Sequence, residues 1–337
     1  MKTAKLILFF NLSLMALTSW GADELRVRIL SKFHPQDLVI SSGDKAYQIE
    51  LGDNKTLDLR HLNSFTIYLP TQDVKRHYPG GVWIEPLDNE LLAVNWVDIE
   101  DYVSQVVLGE MGITEPAAMQ AQAILARSYA LSKLSPQKKY DISDLAYHQV
   151  YPSLSQYSEL SRQHTADASS QVLTHEGRIM QTVYHAECGS RIYQGYEVWG
   201  RGNPPIASSH RLANNLHGKK WHKFIGFDAL HRIFGKGSGP FNLQPNQRVL
   251  GVSTGKIWLA IDLFRLKINR VLGWNTLPSN EFVITVAQGG LLFSGRGRGH
   301  LVGLCQQQAK LLARQGWHYQ EILKLFYPNS ELIQHRR

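Results

Sequence analysis

From Glu24 to about Val97, apolar and polar positions alternate with a period of two, and the pattern predicts a run of short strands. The segments are LRVRIL, DLVISS, AYQIEL, TLDLR, SFTIYL, VWIEPL and LLAVNWV. Gly43-Asp44, Gly52-Asp53-Asn54 and Pro79-Gly80-Gly81 punctuate them as turns. The period then changes. DIEDYVSQVVLGEM predicts a helix with Asp98 as N-cap and acids in its first turn, Val103, Val106 and Val107 sharing one face. Thr114 is the expected cap of a second helix, with Pro116 in its first turn and an end near Lys133.

Residues 140–200 predict mixed turns and strands, with a hairpin around Glu176-Gly177. Beyond them, a helix is expected near Phe227–Phe234 and another along KIWLAIDLFRLKINRVLG. EFVITVAQGGLLFSGRG predicts a strand pair joined at Gly289-Gly290. VGLCQQQAKLLARQG predicts a helix ended by Gly316, and YQEILKLFY a last helix stopped by Pro328. There is no internal repeat, and the whole is expected to be α+β.

The 337 residues suffice for one large domain or two smaller ones, and 43% hydrophobic residues permit a sizeable core. The first residues stand apart. Lys2 and Lys5 precede the apolar run LILFFNLSLMAL, and small residues follow at Ser19 and Gly21. This is a secretory signal pattern over residues 1–22, too short for a comfortable membrane span. The net charge of +8 would suggest nucleic acid inside a cell. Export redirects that expectation to an anionic envelope polymer, and a solvated basic surface explains the charge equally well. Cys188 and Cys305 are the only cysteines; in an exported protein an even count invites one disulfide.

Glu110 lies between the two predicted helices, beside Gly109 and Gly112 and flanked by apolar residues. Partial desolvation there would raise its pKa, which suits a general acid. On local pattern alone, an ordinary helix-end glutamate is the simpler reading. Arg127 sits in an alanine-rich helix that is apolar nearly all round, so it is expected to be buried and to hold either a carboxylate of the fold or a ligand oxygen. YHQVY contributes His148, Gln149 and Tyr151, and GRGRGHLVGLCQQQA contributes His300 and Gln306. The glycine-rich turn lacks a following Gly-Lys-Ser/Thr, which argues against nucleotide binding. The 14 histidines, with His210, His217, His222 and His231 at irregular spacing, predict no metal site. A Cys–His nucleophile, from Cys188 or Cys305 with His185 or His300, is a third and weaker possibility.

Taken in order, these stretches resemble the SpoIID/LytB family. VDIEDYVSQVVLGEM resembles the family helix ending in Gly-Glu-Met, and EPAAMQAQAILARSYAL its alanine-rich run. SDLAYHQVY resembles its Gln-x-Tyr element, and AECGS its Ser/Cys-Gly-Gly turn. RVLGWNTLPSNEF, GRGRGHLVGLCQQQAKLLARQG and ILKLFYPNSEL resemble the later elements, so the anchors span about residues 95–333. The alternating pattern gives a β-rich region at 23–94, either a separate lobe or part of the same domain. The resemblance implies a peptidoglycan-acting domain at 95–337 and a lytic transglycosylase in which Glu110 is the single acid/base. It also implies peptidoglycan glycan strands as partner, with an amidase or a cell-division complex as a further candidate, and no nucleic acid. The expected product carries 1,6-anhydro-N-acetylmuramic acid, because the muramoyl C6 hydroxyl is itself the nucleophile. The second carboxylate of hydrolytic glycosidases is then unnecessary. A glycan-binding enhancer of an amidase is the alternative within the family.

Arg127, Gln149, Tyr151, His300 and Gln306 become candidate substrate contacts, with Trp199 either stacked on a sugar or buried in the core. Cys188 and Cys305, both in cleft elements, are expected to pair. No cofactor or metal is expected, since Tyr147-His148 stands where some members place a zinc-binding Cys and His. No membrane anchor is expected after signal cleavage. The chain departs from the family at Gly299-His300-Leu301, where Gly-His-Gly is usual, at Gln306-Gln307-Gln308-Ala309, and at Gly112, where a proline is usual.

Overall fold

A computed structural model describes residues 24–145, 147–200 and 218–335. The expected signal segment, His210 and His217 lie outside them. The fold is α+β, with a β-rich N-terminal region. Its strands are β1 (Glu24–Ile29), β2 (Asp37–Ser42), β3 (Lys45–Glu50), β4 (Leu57–Leu59), β5 (Ser64–Leu69), β6 (Val74–Pro79), β7 (Gly81–Leu87) and β8 (Glu90–Asp98). They form a four-stranded sheet in the order β3-β2-β5-β6 and, with β9 (Ile142–Ser143), a five-stranded sheet in the order β4-β7-β8-β1-β9. Alternation explains the strands: Ile40, Ile67, Val27 and Ile84 are fully buried, while their neighbours along each strand are less so. β6 was not expected. Its VKRHYP sequence is too polar to signal a strand, and its pairing with β5, Thr66 opposite His77, makes it one.

Helix α1 (Ile99–Met111) leaves β8 directly. The Asp98 carboxylate accepts from the backbone N–H of Glu100 at 2.8 Å and Asp101 at 3.4 Å, the expected cap. Helix α2 (Pro116–Leu131) follows. Its N-cap is Glu115 and not Thr114, because Pro116 is already the first helical residue. Ala118, Ala121, Ile124 and Leu125 of α2 enter one hydrophobic core, and Met119, Ala123, Ala126 and Ala130 enter the other. A helix packed on both sides needs small side chains, which accounts for its alanines. The expected boundary between residues 94 and 95 falls inside β8, and the N-terminal strands share their core with α1 and α2.

The remaining helices are α3 (Ser158–Thr165), α4 (Gly195–Trp199), α5 (Phe227–Phe234), α6 (Ile261–Leu272), α7 (Gln306–Arg314) and α8 (Tyr319–Phe326). α1, α3, α7 and α8 all contact α2. The remaining strands are β10 (Gln171–His175), β11 (Arg178–Ile179), β12 (Tyr184–His185), β13 (Lys220–Gly226), β14 (Asn242–Leu243), β15 (Gly251–Ser253), β16 (Trp258–Ala260), β17 (Phe282–Ala287), β18 (Gly290–Arg296), β19 (Leu304–Cys305) and β20 (Glu331–Gln334). The hairpin at Glu176-Gly177 joins β10 to β11, with both turn residues at positive φ.

Two expected helices begin later than predicted. Trp258–Ala260 of the KIWLA segment pairs as β16, and α7 starts only at Gln306 because Leu304–Cys305 pairs in parallel with β12. α3 and α4 fall where only turns and strands were expected. No helix among the described residues is long and apolar enough to cross a membrane.

Candidate active site

Glu110 occupies the last turn of α1. Carbonyl groups converge there, and the negative end of the helix dipole disfavours a carboxylate. Gly109 decides what lies against this helix end. A Cβ at Gly109 would meet Pro152 Cδ at 2.9 Å and the Val150 carbonyl oxygen at 3.0 Å. Its absence lets the Gln149–Pro152 segment approach, and the Val150 N–H donates to Glu110 Oε1 at 2.8 Å. The Tyr184 hydroxyl donates to the same oxygen at 3.3 Å. Burial raises the half-buried Glu110 carboxyl above its ordinary value, and these two hydrogen bonds pull it back only in part. Among the described residues no ion pair reaches Glu110.

Tyr184 arrives from the far side of the chain. Its strand β12 pairs in parallel with β19, Tyr184 opposite Leu304 and His185 opposite Cys305. Cys305 and Cys188 are joined as a disulfide across a sequence separation of 117 residues. The cysteines therefore bind each other, and neither is available as a thiol nucleophile.

The other expected site residues have diverse surroundings. Gln149 is buried one step behind Glu110; its Oε1 accepts from the Tyr102 hydroxyl at 2.9 Å and its Nε2 donates to the Tyr184 oxygen at 3.2 Å. Tyr151 points into the N-terminal core, its ring against Tyr78 and Tyr102 and its hydroxyl donating to Asn95 Oδ1 at 2.8 Å. Alternation along the extended segment turns it away from the side where Val150 meets Glu110.

Arg127 is fully buried and serves the fold. Its Nε and Nη2 donate to the two Glu100 oxygens at 2.9 and 2.5 Å, and Nη1 donates to the carbonyls of Ala168 and Gln171 at 3.0 and 2.9 Å. Four of its five N–H donors are engaged within the fold, and the guanidinium is shut off from solvent. Gln306 is buried, with Nε2 donating to Gln122 Oε1 at 3.4 Å. His300 Nδ1 accepts from the Val302 N–H at 3.1 Å, and its ring lies 5.1 Å from that of Trp199. Burial pushes His300 down to about 4, so it is neutral at pH 7. Trp199 donates from Nε1 to Asp262 Oδ2 at 3.0 Å, which ties its indole to α6. Leu301 keeps the left-handed backbone, φ 65°, where glycine is usual in the resembling family. Its side chain is fully buried, which offsets a backbone cost on the order of 1 kcal/mol.

Among the described residues no cluster of His, Cys, Asp and Glu is arranged to hold a metal ion. His148 Nδ1 accepts from the Ser143 N–H at 3.0 Å, and burial pushes its pKa down to about 4. A groove of about 620 Å³ lined by Leu173, Trp317, Leu323 and Leu332 does not include Glu110. Sequence reasoning missed Tyr184, Tyr102 and the role of Gly109. Tyr184 stands only four residues before Cys188, but nothing local marks it, since the β12–β19 register alone turns it toward Glu110.

The architecture and site define an α+β protein with a half-buried carboxyl at a helix end, with which no cation among the described residues pairs. Residues 87–181 match the family model described as stage II sporulation protein, SpoIID. That segment carries Glu110 and Gln149 and stops before Tyr184. Among relatives, an uncharacterised protein of Brachyspira hyodysenteriae is 26% identical over 273 residues, covering 77% of this chain and 73% of that protein. Stage II sporulation protein D of Bacillus subtilis is 24% identical over 277 residues, 71% of this chain and 76% of that protein. The protein of the same name from Bacillus amyloliquefaciens is 24% identical over 274 residues, covering 71% and 75%. At this low identity, the family match and the relatives support assignment of the chain to the SpoIID family.

Proposed function

We propose that this protein is a peptidoglycan lytic transglycosylase whose single acid/base is Glu110. The family assignment suggests a role in sporulation or cell-wall processes. The observation that carries the finer reading is the state of Glu110: half-buried, raised in pKa by burial, hydrogen-bonded through one oxygen and unneutralised by any cation among the described residues. Such a carboxyl holds a proton longer than an exposed one and can surrender it to a leaving oxygen. It protonates the glycosidic oxygen between N-acetylmuramic acid and N-acetylglucosamine. As the C1–O bond breaks, the muramoyl C6 hydroxyl attacks C1 and returns its proton to the carboxylate. The product is a 1,6-anhydro sugar, no water enters, and the second carboxylate of a hydrolase is unnecessary. The protein acts after export, and its +8 charge suits an anionic wall polymer.

The test is product analysis by mass spectrometry on intact and denuded glycan. Wild type yields 1,6-anhydromuramoyl ends and Glu110→Gln yields none while still binding glycan. One observation favours a second reading, a glycan-binding enhancer of an amidase. The polar ends of Arg127, Tyr151 and Gln306, expected to face sugar, are engaged inside the fold. That reading requires that wild type form no anhydro product and that it stimulate an added amidase.

A further inference from the structure

Behind Glu110 a line of hydrogen bonds runs into the core. Tyr102 is fully buried, and its hydroxyl is 2.9 Å from Gln149 Oε1. Gln149 Nε2 lies 3.2 Å from the Tyr184 hydroxyl, which lies 3.3 Å from Glu110 Oε1. Burial holds both phenols well above their usual range, so each keeps its proton. The chemistry of the ends sets the direction of the line. A carboxylate only accepts, so the Tyr184 proton points at Glu110. The Tyr184 oxygen must then accept, which turns the amide NH2 of Gln149 toward it and the amide oxygen toward Tyr102. The reverse order would set one lone pair against another.

We propose that Tyr184 is a positioning residue, oriented through Gln149 by Tyr102, that commits Glu110 Oε1 to accepting hydrogen bonds and leaves Oε2 as the oxygen that exchanges the proton with substrate. The Val150 N–H reinforces the assignment by donating to Oε1, while Oε2 makes no hydrogen bond among the described residues. This rests on the lytic reading. The proton on Oε2 goes to the leaving oxygen as the C1–O bond breaks, and the C6 hydroxyl proton returns to the same Oε2 as the new C1–O6 bond forms. One fixed oxygen serves both halves of the reaction.

The groups that face Glu110 from the elements packed on it are Tyr184 from β12, Gln149 and the Val150 N–H from the extended segment, and Tyr102 from α1 itself. The nearby cation of α7, Lys310, donates to the Met111 carbonyl at 2.8 Å and interacts with Glu115 and Arg314.

The test is a carbon-13 NMR titration of glutamate carboxyls in the full-length protein, with Glu110 assigned by comparison with Glu110→Gln. Tyr184→Phe removes a donor to the charged form, so the Glu110 titration moves upward. The same variant lowers kcat on denuded glycan about tenfold, the scale of one lost hydrogen bond, with KM unchanged. Tyr102→Phe acts at one remove and gives a smaller shift of the same sign, which keeps the proposal testable if Tyr184→Phe misfolds. An unmoved Glu110 titration in a folded Tyr184→Phe protein overturns the proposal. Absence of anhydro product from wild type overturns the lytic reading instead, and the titration still judges Tyr184 by itself.

Discussion

Helix α1 carries two glutamates, ten positions apart, with opposite fates. Glu100 stands in the first turn, where the helix dipole favours an anion. It receives a bidentate Arg127 fork and the Ser170 N–H at 2.9 Å. Glu110 stands in the last turn, where the dipole opposes an anion, and receives two neutral donors on one oxygen. The same side chain is a fully compensated tie in one place and a partly desolvated acid in the other. What separates them is the partner set that tertiary contacts bring to each, together with the helix end each occupies.

The contrast breaks first at Glu110. Glu110→Gln lowers turnover of denuded glycan about 10²–10⁴-fold, the scale of general acid–base catalysis, while the melting temperature stays the same or rises. A large loss of stability with full activity would reverse the assignments of the two glutamates. At the other end, Arg127→Met leaves Glu100 without its cation and two carbonyls without a donor. The expected cost in urea denaturation is about 3–5 kcal/mol. Residual folded protein should keep the Glu110 chemistry.

The disulfide sharpens the comparison because it fixes β19 near β12, the strand that carries Tyr184 to Glu110. Replacing Cys188 and Cys305 by serine costs about 2–4 kcal/mol of unfolding free energy. Hydrogen exchange should then quicken at Tyr184 and Leu304 before it quickens along the Glu100–Arg127 contact. The smallest effect is one of pH. Burial raises the Glu110 carboxyl in the folded protein above its unfolded value of about 4.3. The folded state thus binds the proton more tightly, and the associated stability is full below about pH 4 and lost as pH rises through the raised folded value. Thermal melts of wild type and Glu110→Gln should therefore diverge in that window, wild type losing stability relative to the variant as pH increases. Parallel curves would mean that Glu110 is solvated.

Much of this molecule was legible in the chain. Period-two alternation located seven of the N-terminal strands, and Asp98 marked the start of α1 through its side-chain cap. Both features act over a few residues, so sequence carries them. The alanine run announced a buried helix because only small side chains allow packing on two sides. Strand β6 was illegible since its polar residues are held by β5, and β16 and β19 because three or fewer paired residues inside longer helical patterns leave no periodic trace.

The site divides the same way. Apolar surroundings singled out Glu110 and Arg127, and the family resemblance added Gln149, Tyr151, His300 and Gln306 as candidate contacts. Neither ground distinguishes their roles. Sequence marked Arg127 as a buried polar group, since the apolar neighbours that bury it are written locally along α2. Only the tertiary structure decided which partner each polar group would meet. Arg127 finds Glu100, Tyr151 finds Asn95 and Tyr184 finds Glu110 across separations that no pattern along the chain records. A buried polar group is costly unless paired, and pairing is a property of what lies opposite in space.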